Sequence, residues 1–182
     1  MRTAERIVAV VRRIECTVER VTDHGESVYS VELRPSLPSP RFRPGQFLHL
    51  ALDSPARDGF WPESRVFSIA SSPDERDRLA ITYAVKGPFT SRMERELMAG
   101  GPTWVKLPYG EFFIDPTRDA VLFAGGTGVT AFIAFLGSLA ADHGRRVLLY
   151  YGARTSDLFV YGDFARRRAD AVPALTVRLV NE

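Results

Sequence analysis

Residues 120–124 form an unbroken apolar run, Ala120-Val121-Leu122-Phe123-Ala124, which passes directly into Gly125-Gly126-Thr127-Gly128-Val129-Thr130 and then into a second apolar segment, 131–141. The first run has the length and bulk of a buried strand, and the segment after the glycines has the length of a helix. Another apolar strand follows at 146–151. Two strands joined through a helix are parallel, because a parallel pair needs a long crossover connection. A helical stretch at 157–168 and a third strand at 175–179 continue the alternation. The back of the chain therefore folds as an open parallel sheet.

The front is built differently. Apolar and polar residues alternate in short runs at 14–21, 28–33, 46–52, 65–70, 79–85 and 104–107, broken by Gly and Pro. Six strands with period-two patterning suit a small antiparallel barrel. One helix interrupts them at 90–98, with Met93, Leu97 and Met98 on one face, a hydroxyl residue at its start and Gly100-Gly101 as its stop. The character changes near Phe113, which divides the chain into 1–112 and 113–182.

Composition narrows the function classes. A net charge of +2, with scattered basic residues, gives no phosphate-backbone footprint, so nucleic acid is not an expected partner. Cys16 is alone, which excludes an internal disulfide and a four-cysteine iron–sulfur cluster held by this chain. His24, His49 and His143 lack metal-ligand spacing, and no metal is assigned. The longest apolar run near the start, 7–11, is strand-sized, so neither a membrane span nor a signal peptide is expected and a cytoplasmic location is. The run Arg166-Arg167-Arg168 reads as a solvated helix face.

Three short segments carry chemistry. Where a strand ends in glycines and feeds a helix, unpaired N–H groups and the positive end of the helix dipole suit a pyrophosphate, with Gly125, Gly126 and Gly128 allowing close approach. A tight turn without ligand is the alternative. No Lys follows the glycines as a P-loop requires, and Thr130 stands where the last glycine of GxGxxG would fall. In Arg65-Val66-Phe67-Ser68, alternation puts Arg65 and Phe67 on one face, and a twist at the strand end brings Ser68 to it. An Arg fork suits a phosphate, an aromatic ring suits a flat heterocycle, and a hydroxyl suits its polar edge. Gly87-Pro88-Phe89-Thr90 opens the only helix of the front half, where Thr90 serves as an N-cap, an anion site, or both.

These segments resemble those of the ferredoxin–NADP reductase superfamily. Phe42-Arg43-Pro44-Gly45-Gln46 resembles its FxPGQ strand entry, Arg65–Ser68 its RxYS flavin motif and Gly87–Thr90 its GxxS/T motif. Leu107-Pro108-Tyr109-Gly110-Glu111-Phe112 is similar to the segment that closes the flavin barrel, Phe123–Thr130 to the AGGTGxT nucleotide motif, and Tyr151-Gly152-Ala153-Arg154-Thr155 to the strand end that follows. All six stand in the family's order.

The resemblance implies a six-stranded antiparallel Greek-key barrel binding FAD, or less often FMN, followed by an incomplete parallel-sheet domain for NADH or NADPH. It implies hydride transfer from nicotinamide to flavin, then electron transfer to a protein or small-molecule acceptor. Arg65, Val66, Phe67 and Ser68 would then contact the flavin, with Ser68 at N5 as the catalytic residue. Thr82, Tyr83 and Val85 would line its ribityl side, and Gly87, Phe89, Thr90 and Ser91 its phosphates. Gly126, Thr127, Gly128, Val129 and Thr130 would hold the nicotinamide end and pyrophosphate, and Gly152, Ala153 and Arg154 the adenosine side.

Three departures matter. Phe67 replaces the usual Tyr and loses a hydroxyl that can bond the ribityl chain. Ala131 stands where many members have Pro. The chain stops after three parallel strands, without the later Cys-Gly-Pro turn, which leaves the strand at 120–124 as an apolar edge. A fragment, an edge covered by a partner or a second copy, and a degraded nucleotide site are the three readings. Two function classes follow: an NAD(P)H-dependent flavoprotein reductase, and a flavin-binding electron-transfer module without a productive nicotinamide site.

Overall fold

The structure, a computed structural model, describes residues 10–181, so most of the apolar run at 7–11 lies outside the described residues. Six antiparallel strands form the front half: β1 (Arg12–Asp23), β2 (Val28–Pro35), β3 (Phe47–Ala51), β4 (Ser64–Ser68), β5 (Leu79–Ala84) and β6 (Pro102–Tyr109). Their order is β4-β3-β6-β1-β2-β5. A sheet in that order has β4 and β5 as its two edges, and the Ala70 N–H, just past β4, donates to the Ala80 carbonyl of β5 at 2.8 Å. That bond brings the two edges together and nearly closes the barrel.

Period-two alternation fills the interior. Ile14, Cys16 and Val18 of β1, Val31 and Leu33 of β2, Leu48 and Leu50 of β3, Leu79, Ile81 and Tyr83 of β5, and Val105 and Leu107 of β6 form one buried cluster. Helix α1 (Pro88–Glu96) closes one end of it with Phe89 and Met93, and Leu97 follows them into the core. The helix begins earlier than a start at Thr90. Pro88 takes the first helical position, where its missing N–H costs nothing. Thr90 lies in the first turn and its Oγ1 accepts from the N–H groups of Lys86 (2.9 Å) and Gly87 (3.1 Å).

The back half is a parallel sheet, β7 (Ala120–Gly125), β8 (Val147–Ala153) and β9 (Leu175–Asn181), in the order β7-β8-β9. Between β7 and α2 (Thr130–Ser138) lies a single 3-10 turn, Gly126–Val129. Helix α3 (Gly162–Ala171) precedes β9. The stretch 157–168 is therefore not one helix. A 3-10 turn, Ser156–Leu158, comes first, and the chain turns again before Gly162, where an added Cβ would stand 3.0 Å from the Phe159 side chain. Helix α2 also ends three residues short of 141, because Leu139 turns extended and is buried.

The open carbonyls at the end of α2 have a partner. The Arg168 guanidinium, on α3, donates to the Leu136 carbonyl at 3.0 Å and to that of Leu139. The three-arginine run is thus not a uniformly solvated face; its last member caps a neighbouring helix.

Both helices pack on one side of the sheet, burying Leu122, Val147, Leu149 and Tyr151 with Phe132, Phe135 and Leu136. Ala70 and Ala80 of the barrel join this second cluster, so the two halves share an apolar contact made of small side chains. On the other face Val121 and Phe123 are exposed, and Phe123 stacks on Tyr150 with centroids 5.3 Å apart. Strands β7 and β9 are the two edges of the sheet among the described residues. No helix among the described residues is long and apolar enough to cross a membrane.

Two features of the barrel are open to measurement. Gly45 lies at φ +96° and a Cβ there would stand 2.1 Å from the Phe112 carbonyl oxygen, whereas Gly100, at φ +85°, has nothing within 4 Å. Gly45→Ala is expected to cost roughly 2–4 kcal/mol and Gly100→Ala only about 1 kcal/mol, by urea unfolding followed through tryptophan fluorescence. Equal midpoints for the two variants would dismiss the close approach at Gly45. Burial, helped by Glu15, pushes the Cys16 thiol up to about 12. A thiol reagent at pH 8 is expected to label Cys16 only as the chain unfolds, and fast labelling of the folded protein would contradict its place in the core.

Candidate functional site

Two features meet where the barrel faces the parallel sheet. The first is the mouth of the barrel beside α1. Arg65, on the edge strand β4, places its guanidinium 5.1 Å from the Phe89 ring in the first turn of α1, and pairs with Glu63 at 2.9 Å. An Arg thus stands beside a helix N-terminus, where the first N–H groups have no intrahelical acceptor. Phe67, two residues on, points to the same side of β4 and meets the Tyr83 ring edge-on at 6.1 Å. Tyr83 stacks on Tyr29 at 5.6 Å, and the Tyr29 hydroxyl donates to Glu94 of α1 at 2.8 Å.

Tyr83 is the anomaly of this group. Its hydroxyl is buried and has no hydrogen-bond partner, and burial pushes its phenol above the ordinary tyrosine value. Ser68 is half-buried and its hydroxyl makes no hydrogen bond among the described residues, while Val66, on the opposite side of the strand, is exposed. Val85 packs on the barrel core from beyond the end of β5.

The second feature is a cavity of about 660 Å³ at the carboxyl ends of the parallel strands. Gly125, Gly126 and Thr127 from the end of β7 and the turn after it, together with Gly152, Ala153 and Arg154 from the end of β8, form one wall; Val28, Ala84 and Lys86 of the barrel form the other. Ligands of open parallel sheets bind at this end of the strands. A Cβ on Gly125, Gly126 or Gly128 would meet nothing within 4 Å, and only Gly126, at φ +51°, has a backbone that favours glycine. Packing within the protein therefore does not explain this glycine cluster. The open backbone it leaves is what a close-lying ligand needs.

The residues singled out from the sequence separate into those the cavity or the mouth gathers and those it does not. Val129 and Thr130 are buried under the turn, where the Thr130 hydroxyl donates to the Thr127 carbonyl at 2.8 Å. Gly128 lies outside the cavity wall. Thr82 faces away from Phe67 and Tyr83, as alternation along β5 requires. Its Oγ1 bonds the hydroxyls of Ser30 (2.7 Å) and Tyr161 (2.8 Å), so it ties the barrel to the approach of α3. Thr90 is engaged with backbone, and Ser91 donates its N–H to the Gly87 carbonyl at 2.9 Å.

Three participants went unnoticed in the sequence. Lys86 lines the cavity and is one of only two lysines in the chain, a rarity that could have drawn attention to its place directly before Gly87. Tyr161 and Glu26 carried no local signal. Glu26 pairs with Arg154 at 2.8 Å across the gap between the two halves.

No family model matches the chain. It is 30% identical over 176 residues to the ferredoxin reductase component of 3-ketosteroid-9-alpha-monooxygenase from Rhodococcus rhodochrous, covering 93% of this chain and 48% of that protein. It is 30% identical over 142 residues to the reductase component DmpP of phenol 2-monooxygenase from Pseudomonas sp. strain CF600, covering 75% and 38%. Among solved structures, the cytochrome P450 reductase GcoB of Amycolatopsis superposes with a TM-score of 0.82 at 25% identity, over 98% of this chain and 55% of that one. In sequence and fold the chain is similar to reductases of the ferredoxin–NADP reductase-like superfamily. It spans about half the length, or less, of the curated relatives it matches. The same reductase fold extends to the ferredoxin–NADP+ reductase of Plasmodium falciparum, at a TM-score of 0.80 and 16% identity, over 96% of this chain and 77% of that one.

The orphan hydroxyl gives a direct test of the reductase-like mouth. A buried hydroxyl without a partner is destabilising, so Tyr83→Phe is expected to raise the stability of the ligand-free chain by about 1 kcal/mol. Thermal or urea unfolding measures this, and a loss of stability would show that the hydroxyl has a partner in the folded chain.

Proposed function

We propose that this chain is a flavoprotein reductase that binds FAD at the barrel mouth, takes hydride from NADH or NADPH held in the cavity, and passes electrons to an acceptor. One observation carries the reading. Lys86 lies on the cavity wall and directly precedes the Gly87 start of α1, so the helix end suited to flavin phosphates adjoins the cavity suited to a nicotinamide nucleotide. Residues 1–112 would hold the flavin and 113–182 the nucleotide.

The residues fit both groups. Arg65 and the first N–H groups of α1 would neutralise flavin phosphates from two sides. Phe67 offers a ring face, and the uncommitted hydroxyls of Tyr83 and Ser68 offer hydrogen bonds that the protein itself does not use. When bound, the flavin supplies a two-electron centre that accepts hydride and gives electrons up singly or as a pair. Ser68 would donate its hydroxyl hydrogen to N5 and so fix which edge of the ring faces the nucleotide. Gly125 and Gly126 leave backbone open beside Thr127, and Lys86 supplies positive charge for the pyrophosphate. FMN would use the same phosphate groups with less of the α1 end. The acceptor is a protein of the kind served by reductase components of oxygenases, or a small molecule.

An anaerobic titration tests this. FAD is added to the purified chain, unbound flavin is removed, and NADH and NADPH are titrated separately while the visible flavin band is followed. Bleaching by either nucleotide is the expected result. Retained flavin that stays oxidised would favour an electron-transfer module without a productive nicotinamide site, and failure to retain FAD or FMN would remove the proposal. Arg65→Ala is expected to weaken FAD binding about 10- to 100-fold, the share of a charged hydrogen-bond pair, whereas Ser68→Ala should slow bleaching more than it weakens binding.

A further inference from the structure

We infer that Glu26 makes the cavity selective for NADH over NADPH by occupying Arg154. The inference rests on the reading of the cavity as a nicotinamide-nucleotide site. In open parallel sheets of this kind, the residue just past the second strand meets the 2′ position of the adenosine ribose: an acid there accepts from the hydroxyl of NADH, and an Arg takes the 2′-phosphate of NADPH. Arg154 directly follows β8, the second strand, and lines the cavity. By itself it would favour NADPH.

It is not by itself. The carboxylate of Glu26, at the tip of the β1–β2 turn, holds the Arg154 guanidinium at 2.8 Å. The barrel delivers that carboxylate deliberately: Gly25, Glu26 and Ser27 have φ of +81°, +46° and +57°, a conformation that costs energy at the two non-glycine residues. The turn is pinned at several points. The Gly25 N–H donates to Asp23 Oδ1 at 2.8 Å, the His24 N–H to the Val28 carbonyl at 2.9 Å, and the Val85 N–H to the Ser27 carbonyl at 2.9 Å. Stability does not account for the arrangement, because the side chains of Arg154 and Glu26 are 69% and 46% exposed and such pairs contribute little.

The consequence for a ligand is asymmetric. A 2′-phosphate would have to displace Glu26 from Arg154 and then lie beside the freed carboxylate, with Asp157 three residues along the chain adding to the repulsion. A 2′-hydroxyl faces no such exchange and can donate to the carboxylate in place. Lys86, the other cation on the cavity wall, has no carboxylate within ion-pair distance among the described residues. It stays available for the pyrophosphate that both nucleotides share. Glu26 thus neutralises the cation that would discriminate in favour of phosphate and leaves the one that does not discriminate.

Calorimetric binding of ADP-ribose and 2′-phospho-ADP-ribose to the FAD-loaded chain tests this without relying on turnover. The wild-type chain is expected to bind ADP-ribose about 10-fold more tightly, and Glu26→Gln to raise affinity for the 2′-phospho compound about 5- to 10-fold while ADP-ribose changes by less than about 2-fold. Adding Arg154→Gln to Glu26→Gln should return the 2′-phospho affinity to its wild-type level. If both compounds bind and Glu26→Gln leaves their ratio unchanged, Glu26 is not the selector and the nucleotide cavity stands. If neither compound binds any variant that retains FAD, the cavity is not a nucleotide site and the inference falls with it.

Discussion

The contact between Thr82 and Tyr161 helps to set the barrel against the parallel sheet. The two hydroxyls, 2.8 Å apart, join a barrel strand to the chain just before α3, and Ala70 and Ala80 pack into the second core beside them. Small side chains let barrel and sheet approach closely, and burial pushes the Tyr161 phenol up, so a neutral hydroxyl is retained there. With the halves set in this way, the carboxyl ends of the parallel strands face Val28, Ala84 and Lys86 instead of water. Each half folds around its own core, but the cavity belongs to neither.

This division explains what the sequence revealed and what it hid. The strands were legible because burial on one side imposes period two, and β5 shows it residue by residue: Leu79, Ile81 and Tyr83 inward, Thr82 outward. The glycine turn was legible because few sequences can run from an apolar strand through three glycines into an apolar helix. Helix starts were less so. Pro88 moved the start of α1 forward, and the crowding of Gly162 against Phe159 split a stretch that reads as one helix. Both outcomes depend on contacts that a periodic pattern does not carry. Of the site itself, Arg65, Phe67 and the glycines could be named, since each acts through its own local motif. Glu26 and Tyr161 could not, because their partners lie in the other half of the chain.

The two halves also supply different kinds of chemistry. At the barrel mouth the positions are fixed by ring packing, with Phe67 edge-on to Tyr83, Tyr83 stacked on Tyr29, and α1 held against them through Glu94. The flat heterocycle proposed for this mouth would meet a surface that is already organised, so the protein would lose little freedom on binding. At the sheet end, backbone dominates: Gly125 and Gly126 offer main chain, Arg154 and Glu26 are committed to each other, and Lys86 on the wall has no ion-pair partner among the described residues. On the proposed reading, affinity at the mouth would come from shape, and discrimination at the cavity from which charges are left unpaired.

That difference bears on how hydride transfer would be controlled. The two halves are bridged at Thr82–Tyr161 and again at Glu26–Arg154, so the proposed nucleotide would have to enter between these two contacts. The first bridge is part-buried and neutral, and salt does not screen it. The second is exposed and ionic, and ionic strength screens it over about 8 Å at physiological salt. One side of the cavity is accordingly bridged by neutral hydroxyls and the other by an ion pair that salt weakens.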